Sequence, residues 1–242
     1  MQATPDLARE FAPTGVLRAS LNMGNPVLAH SRTSSEKPAG VSIDLSRELA
    51  RELGVTVQFV QFDTAAKSVA ALGEGAADIG FMAIDPLRAD RIEFTAAYVQ
   101  IEGAYLVRAD SPIRSNDEVD QAGTVIVVGA GSAYALYLAR AIRHATLLQV
   151  PTSEAVVSGM LEGGHPVAAG VRQQLEADAT RLAGVRVLDG RFMVINQAMA
   201  MPKDRSAEAH AYLAGFVERM KSTGFVADAL KRHGIEGAKV AQ

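Results

Sequence analysis

The feature that most constrains this chain is the order in which strand and helix patterns alternate along it. Val16–Leu21 (VLRASL), the alternating Val55, Val57 and Phe59, and Ala77–Ala83 read as short buried strands. Between the first two, Leu45, Leu49 and Leu53 recur at four-residue spacing with Arg47, Glu48, Arg51 and Glu52 off that stripe, and Gly54 follows as a stop, so 44–53 predicts an amphipathic helix. Asp63 is expected to cap a second helix through Leu72, ended by Gly73 and Gly75. The order then repeats: TVIVV from Thr124 is a strand, Gly129-Ala130-Gly131 a tight turn, and Ser132 can cap a helix to about Ile142. Strands at 147–150, 167–171 and 185–188 are separated by helices at 153–161 and 172–181. Strands divided by helices pair in parallel through crossovers, which predicts an α/β protein. Two such sets within 242 residues, each too small for a full domain, predict two lobes.

The remaining segments join these sets. Residues before Val16 form a polar lead containing Pro5 and Pro13, and residues 30–40, polar and carrying Pro38, are expected as a surface loop. Gly103–Ala109 is a further strand. Phe192–Met201 is a long apolar run able to return the chain to the first sheet, and two helices, 206–223 and 225–233, follow around a break at Gly224.

Composition narrows the function classes. A net charge of -3, with Lys and Arg dispersed, gives no basic field for nucleic acid. No window approaches the roughly 18 apolar residues of a membrane span, so no membrane insertion is expected. The absence of cysteine excludes disulfides and thiolate metal sites. The opening MQATPDLAREFAPTG lacks a basic segment followed by an apolar core, so no secretory signal is visible. The expected location is therefore the periplasm if a leader has been removed and the cytoplasm otherwise. The histidines at 30, 144, 165, 210 and 233 show neither i,i+4 pairing nor carboxylate clustering, which predicts surface residues and no metal site.

The stretch ADIGFMAIDPLRADRIEF, from Ala77 to Phe94, carries the most pointed chemistry. Its strand ends in Asp85-Pro86, which reads as the start of a short helix and places Arg88 just beyond the carboxyl end of a strand, where ligands of open α/β sheets collect. A guanidinium there offers a fixed fork to a carboxylate. GAGSAY begins like a dinucleotide fingerprint, but Tyr134 replaces its last glycine and no acid follows at the right distance, and Gly131 adjoins Ser132 directly, unlike a nucleophile elbow. No cofactor is expected.

Taken together, GVLRAS, GVSIDLSRELARELGV, ALGEGAADIGFMAIDPLRADRIEFT, GAYLVRADSPI, VIVVGAGSAY, LEGGHPVAAGV and MAMPKD resemble, in order and spacing, the family 3 extracellular solute-binding proteins, the polar amino-acid receptors of ABC importers. The resemblance spans nearly the whole chain. It implies a two-lobed clamshell of the type 2 periplasmic-binding-protein kind, each lobe a mixed, mostly parallel sheet flanked by helices. Lobe 1 would comprise 1–99 plus 196–242 and lobe 2 residues 100–195, with a hinge near 99–102 and 191–196. It also implies a monomer, a small anionic ligand taken up in the cleft, and ABC permease membrane subunits as partners.

By motif match, Arg88 takes the place of the family arginine that grips a ligand carboxylate, and Gly131, Ser132 and Ala133 that of the turn at a helix start that shares it. Arg172 falls where amino-acid receptors carry an aspartate for the ligand ammonium, and Phe81 and Ala83 fall where hydroxyl residues are common. A base in place of an acid predicts an anion without a free α-amine, such as a small organic acid. Asn22, Asn25, Tyr98 and Glu102, in the first-strand loop or at the hinge, are further candidate lining residues. Two other functions remain open at this point. One is a cyclohexadienyl dehydratase-like enzyme on the same fold, for which Glu102 and Glu176 are the acid candidates. The other is a sensor or binding protein not coupled to transport.

Overall fold

The computed structural model describes residues 4–31 and 37–242, so part of the expected 30–40 loop, residues 32–36, lies outside the described residues. The chain divides into two compact units, Met1–Gln100 with Asn196–Gln242, and Ile101–Ile195.

The first unit starts with α1 (Pro5–Phe11), a helix inside the segment expected as a polar lead. Pro5 stands in the first turn, where its missing N–H has no partner to lose, and the Thr4 hydroxyl accepts the Leu7 N–H. Phe11 is wholly buried and meets Tyr212 edge-on at 5.8 Å. Next come β1 (Val16–Asn22), α2 (Val41–Leu53), β2 (Thr56–Phe62), α3 (Ala65–Gly73) and β3 (Ile79–Ala83). α2 begins three residues before the expected start at 44, because Gly40, at φ 129°, turns the chain into the helix against the Leu28 carbonyl. α3 is capped by the Thr64 hydroxyl rather than by Asp63, whose carboxylate pairs instead with Lys67 Nζ at 2.8 Å.

β1 lies parallel to β2 (Ala19↔Phe59) and to β3 (Ala19↔Ile79). β4 (Ile92–Arg108) is far longer than the strand expected at 103–109, because it leaves the first unit and enters the second between Gln100 and Ile101. The second unit continues with β5 (Val125–Gly129), α4 (Ala133–Ala141), β6 (Thr146–Val150), α5 (Val156–Glu162), β7 (Val167–Val171), α6 (Arg172–Arg181) and β8 (Val185–Val187). Here β5 is parallel to both β6 and β7, while β4 runs antiparallel to β7 (Gly103↔Val171) and to β8 (Leu106↔Val187). The core of this unit gathers Leu106, Val127, Val157, Met160, Ala168 and Leu175.

β9 (Met193–Pro202) carries the chain back, passing from the second unit to the first between Ile195 and Asn196, and pairs antiparallel with β3 (Phe81↔Met199). Two helices, α7 (Ala207–Ser222) and α8 (Phe225–Arg232), and the short β10 (Lys239–Val240) on β4 complete the first unit. Contrary to the expectation of surface histidines, the side chains of His210 and His233 are only 14% exposed and face Glu93 and Asp44. Among the described residues no helix is long and apolar enough to cross a membrane.

An ion pair with a wholly buried carboxylate ties β1 to the residue that precedes β3. Asp78, with no exposed side-chain surface, accepts the Arg18 backbone N–H at 2.9 Å and both arms of its guanidinium at 3.0 and 2.7 Å. Removing one partner of a buried pair strands the other charge. Asp78→Ala is therefore expected to lower the unfolding free energy by roughly 3–5 kcal/mol, measured as a shift in urea midpoint at unchanged slope.

Candidate functional site

In the first unit the candidates cluster around the end of β3. All five residues of this strand are buried, Phe81 and Ala83 among them, so alternation cannot be read along it. Phe81 meets the wholly buried Tyr98 edge-on at 6.1 Å. Burial pushes the Tyr98 phenol well above its ordinary range, and its hydroxyl faces that of Ser42, although neither finds good hydrogen-bond geometry. Asn22 turns the chain after β1 by accepting the Gly24 N–H at 3.1 Å. Asn25 is buried, its backbone carbonyl accepting Leu28 and Ala29 N–H, while its Oδ1 finds no partner among the described residues.

Past Ala83 the structure replaces the expected short helix with consecutive turns. Asp85 Oδ1 accepts the Leu87 N–H at 2.9 Å, and the Arg88 and Ala89 amides reach back three residues, to Asp85 and Pro86. β4 begins at Ile92, which leaves no room for the further turns that would repay helix nucleation. The turns fold Arg88 inward to 7% exposure, where Nη1 donates to the Ala83 carbonyl at 3.0 Å. Burial pulls this guanidinium down to about 10, against the raising pull of the Asp85 carboxylate, so it stays cationic at neutral pH. The result is a fixed positive charge largely stripped of water.

In the second unit, Gly131, Ser132 and Ala133 form the start of α4 as the sequence suggests. Gly131 adopts a left-handed φ of 66°, and the buried Ser132 caps the helix by accepting the Ala135 N–H at 3.1 Å. The turn is packed closely from behind: a side chain at Gly129 would meet Ser153 backbone at 3.0 Å and the Tyr134 hydroxyl at 2.8 Å.

Arg172 is the first residue of α6, and its charge is already answered inside the unit. Nε donates to Glu102 Oε2 at 2.9 Å, Nη1 lies 3.5 Å from Glu176, and Nη2 donates to the Gly190 carbonyl. Glu102 in turn accepts Arg191 Nη1 through Oε1 at 2.8 Å. The sequence reading missed Arg191. The only signal for it was its position in the expected second crossing, since nothing local marks an arginine as the partner of a residue 89 positions away. The hydrogen bond from Arg191, reinforced by Arg172, holds the Glu102 carboxyl below its ordinary 4.5 against the opposing effect of burial. A general acid needs the opposite shift, so Glu102 is poorly suited to donate a proton at neutral pH. Glu176 is half exposed. Among the described residues no group of three or more His, Asp or Glu side chains is placed to hold a metal ion.

Comparison with known proteins gives these residues a context. The sequence profile of the bacterial extracellular solute-binding proteins, family 3, matches residues 21–235. No curated protein matches the chain in sequence. Among solved structures, the solute receptor for L-cysteine of Neisseria gonorrhoeae superposes with a TM-score of 0.81 at 20% identity, over 97% of this chain and 95% of the other. The amino acid ABC transporter substrate-binding protein AbpA of Streptococcus pneumoniae, bound to L-arginine, gives 0.78 at 17% identity over 92% and 96%. An ancestral amino acid-binding protein described as a precursor of cyclohexadienyl dehydratase gives 0.76 at 22% identity over 93% and 98%. At such identities the likeness establishes the fold, a mixed α/β periplasmic-binding-protein fold of type 2.

The Glu102 shift has a testable sign. A carboxyl with a depressed native value stabilises the fold above its ordinary 4.5, and that contribution is lost as pH falls through the native value. The stability gap between wild type and Glu102→Gln, followed by urea unfolding, is expected to be constant from pH 7 to 5 and to close on further acidification.

Proposed function

Because the chain belongs to the bacterial extracellular solute-binding proteins of family 3, we propose that it is the receptor of an ABC-type importer and delivers a small carboxylate-bearing ligand to the permease subunits. It would work as a monomer outside the cytoplasmic membrane, in the periplasm, and capture its ligand by closure of the two units about the crossings in β4 and β9. The observation that carries the ligand class is Arg88. It is a buried, permanently charged fork at the carboxyl end of β3, matched in shape and sign to a carboxylate. In the second unit the α4 start, with Gly131, Ser132 and Ala133, would offer amides and the positive end of a helix to the same group.

The ligand is further proposed to be an organic acid, or another amino-acid-like anion without a free α-amine. Arg172 supports this, since by the family resemblance a cation would stand where amino-acid receptors hold an ammonium. Glu102 supports it too: the carboxylate beside Arg172 already serves two guanidiniums and has little left for a third cation. The same point favours a receptor over a dehydratase, because elimination on this fold needs a protonated acid and Glu102 is held ionised.

Isothermal titration with succinate, malate, citrate, glutamate, arginine and cysteine tests the reading. Tight binding is expected from one or more of the acids lacking an amine, and selective tight binding of an ordinary amino acid would overturn the organic-acid assignment. Arg88→Ala is expected to weaken the bound acid by at least about 100-fold, in line with the loss of one partner of a desolvated charge pair. Arg172→Asp should weaken that acid and strengthen the amine-bearing ligands.

A further inference from the structure

The polar contacts around Arg172 reach beyond ligand recognition, because they involve both segments through which the chain passes between its units. The first crossing lies in β4 between Gln100 and Ile101, and Glu102 is two residues beyond it. The second lies in β9 between Ile195 and Asn196, with Gly190 and Arg191 shortly before it. Within the second unit, Glu102 Oε1 accepts Arg191 Nη1 at 2.8 Å, joining one crossing segment to the other. Arg172 bonds to both, through Nε to Glu102 and through Nη2 to the Gly190 carbonyl. Within the first unit the same two segments are joined again, by Gln100 Nε2 donating to Asn196 Oδ1 at 2.9 Å. Asn196 also accepts the Ile84 N–H at 2.9 Å, one residue beyond the carbonyl of Ala83 that holds Arg88.

We propose that Glu102 is a positioning residue, the centre of a charged clasp with Arg172 and Arg191 that stiffens the paired crossing segments on the second-unit side and so links them to a candidate ligand arginine, Arg172. The second half of this statement rests on the receptor reading. The first half does not. β4 and β9 are already hydrogen-bonded neighbours in the sheet, and the charge-assisted bonds on the second-unit side and the amide pair on the other add side-chain ties to that pairing. Glu102 is suited to the role because its two oxygens are divided between the two arginines, one from the second crossing and one from α6. Arg172 is suited to couple it to a ligand. An anion drawing on its guanidinium would compete with Glu102 and Gly190, and would loosen the clasp as the site fills.

Hydrogen exchange followed by mass spectrometry tests the clasp without any ligand. In Glu102→Gln and in Arg191→Met, amides of residues 99–102 and 190–196 are expected to exchange about tenfold faster than in the wild type, with α7 unchanged. The double variant should exchange no faster than Glu102→Gln alone, because that substitution already breaks the bond that Arg191→Met removes. If Glu102→Gln fails to fold, Arg191→Met reads that bond from its other end. Unchanged exchange in the two segments, or effects that multiply in the double variant, would overturn the clasp. The coupling is read separately, by adding the tightest-binding acid of the titration panel to the wild type and to Arg191→Met. Faster exchange of residues 190–196 on ligand addition to the wild type, absent in the variant, is the expected result, and no change in the wild type would overturn it. Absence of binding by every panel member would remove the receptor reading and the coupling while leaving the clasp to be judged on the ligand-free data.

Discussion

The first unit depends on β3, five residues buried along their whole length between β1 on one side and β9 on the other. A strand in that position can satisfy its backbone only by pairing on both edges, and its side chains have nowhere polar to go. The consequences reach the site directly. Phe81 and Ala83 are buried, and the Asp78–Arg18 pair fixes the strand's start against β1. The strand's last carbonyl, that of Ala83, becomes the anchor for the Arg88 guanidinium. The charge that defines the candidate site is thus positioned by backbone geometry, with little left to side-chain rotamer choice.

The second unit uses a different economy. Its charges are on side chains from three separate places, β4, the start of α6 and the segment before β9, and they neutralise one another around Glu102. Such a network is only partly sheltered, with Glu102 26% and Arg191 51% exposed at the side chain, so its worth lies less in stability than in orientation. It fixes which way Arg172 points and how much of its charge is still available.

The alternation of strands and helices was legible because it is local. α6 begins and ends where the pattern places it, β7 likewise, and Ser132 caps α4 as expected. Helix starts were less legible where the cap competes with a neighbour, as at Thr64 against Asp63, or where a glycine's backbone does the work, as at Gly40. The segment 85–90 misled because Asp-Pro begins a turn and a helix alike, and only the distance to β4 decides between them. Arg88 was legible as a residue type in a motif, and its inward fold was not. The pairing of Glu102 with Arg172 and Arg191 was invisible, since antiparallel strands bring together residues 70 and 89 positions apart with no mark in the local sequence.

That last point bears on how ligand choice can diverge on a shared frame. Proteins at 16–22% identity superpose on this chain over most of their length, so the frame tolerates wholesale replacement of side chains. In this chain β3 and β7 end shortly before Arg88 and Arg172, so where those strands stop sets where each arginine lies. Under the proposed reading, a single substitution just past the end of β7 would invert the charge offered to one part of a ligand while Arg88 kept its grip on another. Its success depends on whether a nearby carboxylate can balance the new cation. Glu102 provides that balance here, and the same carboxylate holds Arg191 in the segment that leads into β9.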